Sequence, residues 1–484
     1  MQNFKMRTRM WSRKLCLVVA ITLIFTMFTA CGTEEETLDP ANPVTVVVWH
    51  HFSGAVQSAF ETAIREFNET VGMDRGIFVQ GYSAGTVSEL AAAVRASIAG
   101  EVGSEKLPHI FTAFADTAYV AKQYGLLVDF QDYLSEAQQQ EFFASFINGG
   151  RIGRNNELFL FPVAVATEIF MLNHTDWAPF ASENNFSYGD LATMEDIKRV
   201  AQVYYDWSGG KAFFGRDQFA NLFIIGSKQF GVELFDVDSA GQVTLNLDEQ
   251  VMRRIWDYYY IPHIRGYFTA YSRFRSDDLR VGDILAYSGS TVSAAFFPDE
   301  IRVEGESRPI DVKVLPMPVF QGGERVLVRQ GANMVITQTT EAEQYASKVF
   351  VHWFTDPQQN ISFAALSGHM PVRTAAMDYE LIRATADEFD IVLTDATDQA
   401  LRIAISEVKE STMYSMPAFQ TATAARGVLY SHLRNKAIED RATIVEMMAN
   451  GVDREEAIAY FATDEKFRAW LADFEAELRA VIGN

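Results

Sequence analysis

Between Val44 and Gly125 the sequence alternates β-branched runs with amphipathic helices, and that alternation restricts the fold more than any other feature. Val44-Thr45-Val46-Val47-Val48-Trp49 reads as a buried strand. His50-His51-Phe52-Ser53-Gly54 is a turn, and Val56, Ala59, Phe60, Ala63, Ile64 and Phe67 then recur at helical spacing. A second strand is expected over 77–82. Thr86-Val87-Ser88-Glu89 forms a capping box that opens a helix to about Ile98. His109–Ala113 is a third strand, and a helix from Asp116 to Tyr124 closes on Gly125. Strand–helix alternation of this kind predicts an α/β protein with a parallel or mixed sheet. Ligands of such sheets sit beyond the carboxyl ends of the strands. Here those tips are Trp49-His50-His51 and Ala113-Phe114-Ala115-Asp116.

Leu158–Asn173 is the longest apolar run downstream of the N-terminal leader, and Pro162 interrupts it. Two extended segments joined by a crossover fit it better than one helix. Thr193-Met194-Glu195-Asp196 caps a helix with Ile197, Val200, Ala201 and Tyr204 on one face. Asp236–Gln242 has the look of a calcium loop, but its twelfth position is Leu247, not an acid, so a hairpin turn is expected. Strands are expected at 311–315, 326–328 and 333–337. Thr340 and Asp356-Pro357 start two helices, and the last hundred residues read as helical.

The N-terminus has a different character. Lys5, Arg7, Arg9, Arg13 and Lys14 precede fifteen uncharged residues, Cys16 to Ala30, and Cys31-Gly32 follows. This is an export signal with a small-residue cleavage site, too short to span a bilayer comfortably. Phe28-Thr29-Ala30-Cys31-Gly32 resembles a bacterial lipobox, which implies lipidation at Cys31. Residues 1–30 are then a lipoprotein signal peptide and 31–43 an acidic tether with Pro40 and Pro43. The chain's net charge is −22, and residues 1–30 hold five positive and no negative charges, so the remainder carries −27. That balance excludes nucleic acid as partner. With Cys31 the one cysteine past the signal, neither an internal disulfide nor a cysteine metal site is possible.

In order along the chain, VTVVVWHHFSG, LPHIFTAFAD, YGLLVDFQDYL, FPVAVATEIFMLNHTDW, VGDILAYSGST and VKVLPMPVFQGGERV are followed by GANMVITQTTEAEQYASKVFVHWFTDPQQNISFAALSGHMPVRTAA and MYSMPAFQTATAA. In this order the segments resemble the sugar-binding extracellular solute-binding proteins of ATP-binding-cassette importers. The resemblance implies a two-lobed periplasmic-binding-protein-like fold of type II, its lobes joined by crossover hinge strands and the ligand closed between them. Lobe one is expected at 44–160 plus 327–372, lobe two at 161–326 plus 373–484. Hinges are expected near Pro162 and in 326–328. Two local departures stand out: Gln330-Gly331-Ala332 replaces a Gly-Gly pair, and no tryptophan follows Ser288-Gly289-Ser290-Thr291.

The implied function is a lipid-anchored, monomeric receptor that captures a carbohydrate or polyol and hands it to a membrane permease. Glycerol phosphate or another anionic solute is the alternative. Sugar sites pair hydroxyls with carboxylates and amides and stack rings on aromatic faces. Asp116 is a candidate hydroxyl acceptor or a helix cap. Trp49, His50 and Ser53 follow the first strand, and Trp49 serves either a core or a stacking platform. Glu168, inside an apolar crossover, needs a partner or a ligand. Ser288 and Ser290 flank Gly289 on a loop. Arg329 and Gln330 precede a strand, where the arginine suits an acidic ligand or a surface ion pair. Tyr414 lies where the family places a cleft aromatic, and Trp207 ends a helix at the rim. No HExxH, P-loop or G-x-G-x-x-G motif is present, and no enzyme, metal or cofactor is expected. An exported glycan-cleaving enzyme working through Asp116 and Glu168, or an adhesin, is the remote alternative.

Overall fold

A computed structural model describes residues 38–152, 156–238, 240–303 and 305–483. The leader, Cys31 and most of the tether lie outside the described residues. In the first part of the chain the elements are β1 (Val44–His50), α1 (Gly54–Glu69), β2 (Ile77–Ser83), α2 (Val87–Ala99), β3 (Ile110–Ala113) and α3 (Ala115–Gln123). Then come β4 (Phe161–Ala166), β5 (Glu168–Asn173), α4 (Met194–Trp207), β6 (Phe214–Arg216), α5 (Phe219–Gln229), β7 (Ala286–Ser290), β8 (Val312–Pro316), β9 (Val326–Val328) and β10 (Gln330–Ile336). The remainder is α6 (Glu341–Phe354), α7 (Pro357–Ser367), α8 (Tyr379–Glu388), α9 (Asp395–Glu410), β11 (Thr412–Tyr414), α10 (Ala422–Ala449) and α11 (Asp464–Ile482).

Two sheets organise these elements. The first runs β2-β1-β3-β10-β4, with β1 parallel to β2 and β3, and β10 antiparallel to β3 and β4. The second runs β8-β5-β7-β6. Both faces of the first sheet are covered. Val46, Val48 and His50 of β1 point to the side where Phe60 and Phe67 of α1 meet Phe350 and Phe354 of α6. Trp49 points to the other side, with Leu90 and Val94 of α2. The expected capping box is present, with Thr86 N–H on Glu89 Oε2 at 2.6 Å. The expected hairpin is present: Phe235–Val237 pairs antiparallel with Val243–Leu245.

The chain leaves the first sheet for the second at Thr167, between β4 and β5. Sequence placed a hinge near Pro162, and the strands change sheet somewhat further on. Pro162 sits on an edge strand, where a missing N–H costs little. It faces Asn333 at a register shift in β10, which absorbs the irregularity. Phe161–Ala166, expected in the second lobe, is therefore hydrogen-bonded into the first sheet. A second passage is Arg329, between β9 and β10. Gly331 follows it with φ +119°, and a Cβ there would stand 2.3 Å from Ala164 O, so only glycine fits. The third passage lies between α8, packed on α7, and α9, packed on β8. Arg373 also belongs with the first sheet: its Nε donates to Thr355 O at 2.7 Å, and it pairs with Glu141 and Asp356. At the passages β9 and β11 form a short parallel ribbon.

Candidate functional site

Between the two sheets lies a cleft of about 550 Å³. The first unit contributes Phe114, Asp116, Asn148, Arg151, Gln330 and Asn333; the second contributes Gln218, Ile224, Thr423 and Arg426. Arg329 and the segment Met413–Ala418 cross between them. The polar side chains mix donors and acceptors, and Phe114 and Tyr414 supply aromatic surface, the mixture a polyhydroxylated ligand needs. A larger depression of about 810 Å³ lies between α6 and the segment 130–138. It is bounded by the first unit alone, so no relative movement of the units can enclose a solute there.

Arg329 is the most constrained group in the cleft. Its side chain lies over Gly149, where a Cβ would stand 2.8 Å from both Cδ and Nε. Its Nη2 donates to Asn333 Oδ1 at 2.7 Å, and Asn333 in turn donates to Ala113 O. Its Nε is buried without a partner among the described residues. No carboxylate among the described residues forms an ion pair with it, and burial holds the guanidinium at about 10, below its ordinary value of 12.5. Gln330 Nε2 is likewise buried and unpartnered.

Asp116 is in the first turn of α3, whose N-cap is Phe114, so it is not the cap itself. Its carboxylate lines the cleft, 4.0 Å from Arg95. Opposite it, Arg426 donates to Asn221 Oδ1 at 2.7 Å. Burial lowers the Arg426 pKa, and Glu168 and Asp116 oppose that. Tyr414 hydrogen-bonds Glu233 and carries the Lys228 ammonium 4.8 Å above its ring.

Of the candidates read from sequence, Asp116, Arg329, Gln330 and Tyr414 thus meet in the cleft. The others do not. His50 stacks on Phe52 and abuts Phe60 in the core, and burial lowers its pKa to about 4. Trp49 packs beneath α2 because the opposite face of β1 is also covered. Ser53 is the exposed N-cap of α1. Glu168 has its partner within the protein: Arg216 Nη2 at 2.7 Å, both side chains under 5% exposed. Burial raises the Glu168 pKa, with Arg216 opposing. Ser288 is fully buried in β7, a central strand. Ser290 caps the turn Thr291–Phe296, accepting from Ser293 N–H. Trp207 packs on Phe180 and donates Nε1 to Glu183, outside the cleft. Sequence reasoning missed Asn148, Arg151, Gln218, Thr423 and Arg426; the one signal near any of them is MYSMPAFQTATAA, which ends just before Arg426. Among the described residues no group of three or more His, Cys, Asp or Glu could hold a metal ion, and no helix is long and apolar enough to cross a membrane.

Two sheets of this order, linked by crossover strands over a cleft lined from both sides, define a two-lobed periplasmic-binding-protein-like fold of type II. The profile of the bacterial extracellular solute-binding proteins matches residues 62–388, and the chain belongs to that family. It is a binding protein of the extracytoplasmic space. Solved structures agree on the fold. The cyclic α-maltosyl-1,6-maltose binding protein from Arthrobacter globiformis superposes with a TM-score of 0.65 at 16% identity, over 91% of this chain and 99% of that one. UgpB from Mycobacterium tuberculosis, in complex with glycerophosphocholine, gives 0.64 at 16% identity, over 91% and 99%. An ABC substrate-binding protein from Listeria monocytogenes, in complex with cycloalternan, gives 0.66 at 11% identity, over 91% and 100%. No curated protein matches the chain by sequence.

Proposed function

We propose that this chain is the substrate-binding component of an ATP-binding-cassette importer. It captures a carbohydrate or related polyol between two lobes and delivers it to the permease. The observation that carries this reading is the cleft itself: a hollow of about 550 Å³, lined by both polar and apolar side chains, whose walls come from both units. Structural relatives in complex with cycloalternan and with glycerophosphocholine support a hydroxylated small solute. The lobes are taken as 44–166 plus 330–388 and 168–328 plus 395–483, hinged at Thr167, Arg329 and the segment 389–394. Asp116, Gln330 and Tyr414, with Asn148, Asn333 and Thr423, would meet the ligand. Because a solute touches both walls only when the lobes close, binding shifts the population toward the closed form that the permease reads. Cys31 would carry the lipid and the tether would keep the monomeric receptor near its permease, raising effective concentration.

A thermal-shift screen over sugars, polyols and sugar phosphates identifies the ligand, since binding raises stability by mass action. Small-angle scattering then tests closure: the radius of gyration should fall with ligand, and an unchanged value with a confirmed ligand defeats the mechanism. The same ligand recovered chemically unaltered separates receptor from glycan-cleaving enzyme. Radioactive palmitate should label the protein but not its Cys31→Ala variant.

A further inference from the structure

The cleft runs against the charge of the molecule. The whole chain is at −22, yet the charged residues lining this hollow are Arg151, Arg329 and Arg426 against Asp116 alone. Two of the arginines are already engaged. Arg151 donates to Gln139 Oε1 at 2.6 Å and to Asn156 O at 3.1 Å, and Arg426 is held by Asn221 with Asp116 and Glu168 near enough to act on its charge. Arg329 is different. It is nine-tenths buried, its side-chain hydrogen bond is to a neutral amide oxygen, and its Nε has no partner among the described residues. A buried guanidinium without an acid is costly, and proteins seldom retain one unless something supplies the charge. Gly149 is what makes the arrangement possible, because any side chain there would displace the guanidinium. The corner has a second source of positive potential. Asn333, which holds Arg329, also reaches Ala113 just ahead of α3, a helix whose N-terminus receives no side-chain cap. Gln330 adds a buried, unpaired amide donor.

We propose that the solute carries an oxyanion, a carboxylate or a phosphate, that Arg329 and Gln330 bind in the cleft, while Asp116 takes a hydroxyl of the same molecule. This rests on the reading of the cleft as the solute site and sharpens it, from sugars in general to acidic sugars. The fork of a guanidinium matches either oxyanion. Asp116 sets a limit on the ligand: its negative charge disfavours a second anionic group beside α3, so the solute carries one oxyanion at the Arg329 end and neutral hydroxyls at the other.

Calorimetric titration of the soluble chain from residue 32 onward distinguishes the sources. The panel contains uronic-acid sugars with their methyl esters, and sugar and glycerol phosphates with their dephosphorylated forms. One acidic class should bind about a hundredfold more tightly than its neutral counterpart. Arg329→Gln should erase that preference, and Arg329→Lys, which keeps the charge but loses the fork, should restore part of it. Should Arg329→Gln fail to fold, Gly149→Ala displaces the guanidinium with its charge intact and should weaken acidic binding in the same direction. Equal affinity for acidic and neutral partners, or a preference that survives Arg329→Gln, overturns the oxyanion site while leaving solute capture standing. Binding of no member of either kind overturns both.

Discussion

The Glu168–Arg216 pair makes a prediction whose size follows from its burial. The two side chains are 4% and 2% exposed, joined at 2.7 Å, and Glu168 Oε1 and Arg216 Nη1 have no hydrogen-bond partner among the described residues. Removing one partner strands the other. In Arg216→Met the carboxylate can escape by taking a proton. From an ordinary pKa near 4.3 that costs at most about 4 kcal/mol at pH 7 and about 1 kcal/mol at pH 5. The sign follows from linkage. The folded variant holds one more proton than the unfolded chain, so its deficit grows as pH rises above about 4.3 and vanishes below it. Glu168→Leu strands a guanidinium that cannot shed its proton, so it should cost about 3–5 kcal/mol at either pH. Replacing both, Glu168→Leu with Arg216→Met, should come within about 2 kcal/mol of the parent, because an apolar pair fills the same buried space. Urea melts at pH 5 and pH 7, followed by circular dichroism and tryptophan fluorescence, give all these values. Additive single losses in the double variant, or an Arg216→Met deficit equal at both pH values, would refute the reasoning.

Three further outcomes are expected. Burial lowers the pKa of His50 and His51 to about 4 and of His263 and His369 to about 3. Each stays neutral when folded but gains a proton when unfolded below its ordinary 6.5, so stability should fall as pH drops from about 6.5 toward 4, partly offset by Glu168 and Asp217, whose pKa values burial raises. His50→Phe should flatten that limb by about 1.4 kcal/mol per pH unit in a pH series of urea melts. Gly331→Ala forces a Cβ to within 2.3 Å of Ala164 O at φ +119°, and thermal melts should show a loss of about 3 kcal/mol. Trp207→Ala should leave solute affinity unchanged in calorimetry, since its ring and Nε1 serve Phe180 and Glu183.

Most of the architecture was legible because it rests on local signals. The β-branched run of β1, the 86–89 capping box and the helical spacing of α1 each carry their own period or cap. The crossover was legible as an event but not as a place. Proline is a strong local mark, yet on an edge strand at a register shift it breaks nothing, and Thr167 carries no mark at all. The site was harder for the same reason. Alternation along β1 says that Trp49 and His50 face opposite ways, but not that helices cover both faces. Burial of Glu168 demanded a partner or a ligand, and in the structure it faces a partner. That the partner is Arg216, 48 positions away, depends on the strand order β5-β7-β6, which no local pattern encodes. Arg426 lies early in a long helix with no signal of which turn meets the cleft.

The cleft residues that sequence did find share a place in the topology. Arg329 and Gln330 lie where β9 gives way to β10, and Tyr414 ends β11, the strand paired with β9. At these points the chain passes between the two sheets, along a ribbon that belongs to neither. Arg329 donates its backbone N–H to Tyr414 O and its Nη2 to Asn333 Oδ1. A charge fixed there lines the cleft and stands in the passage about which the lobes would turn. Ligand selection and lobe closure would then depend on the same few residues.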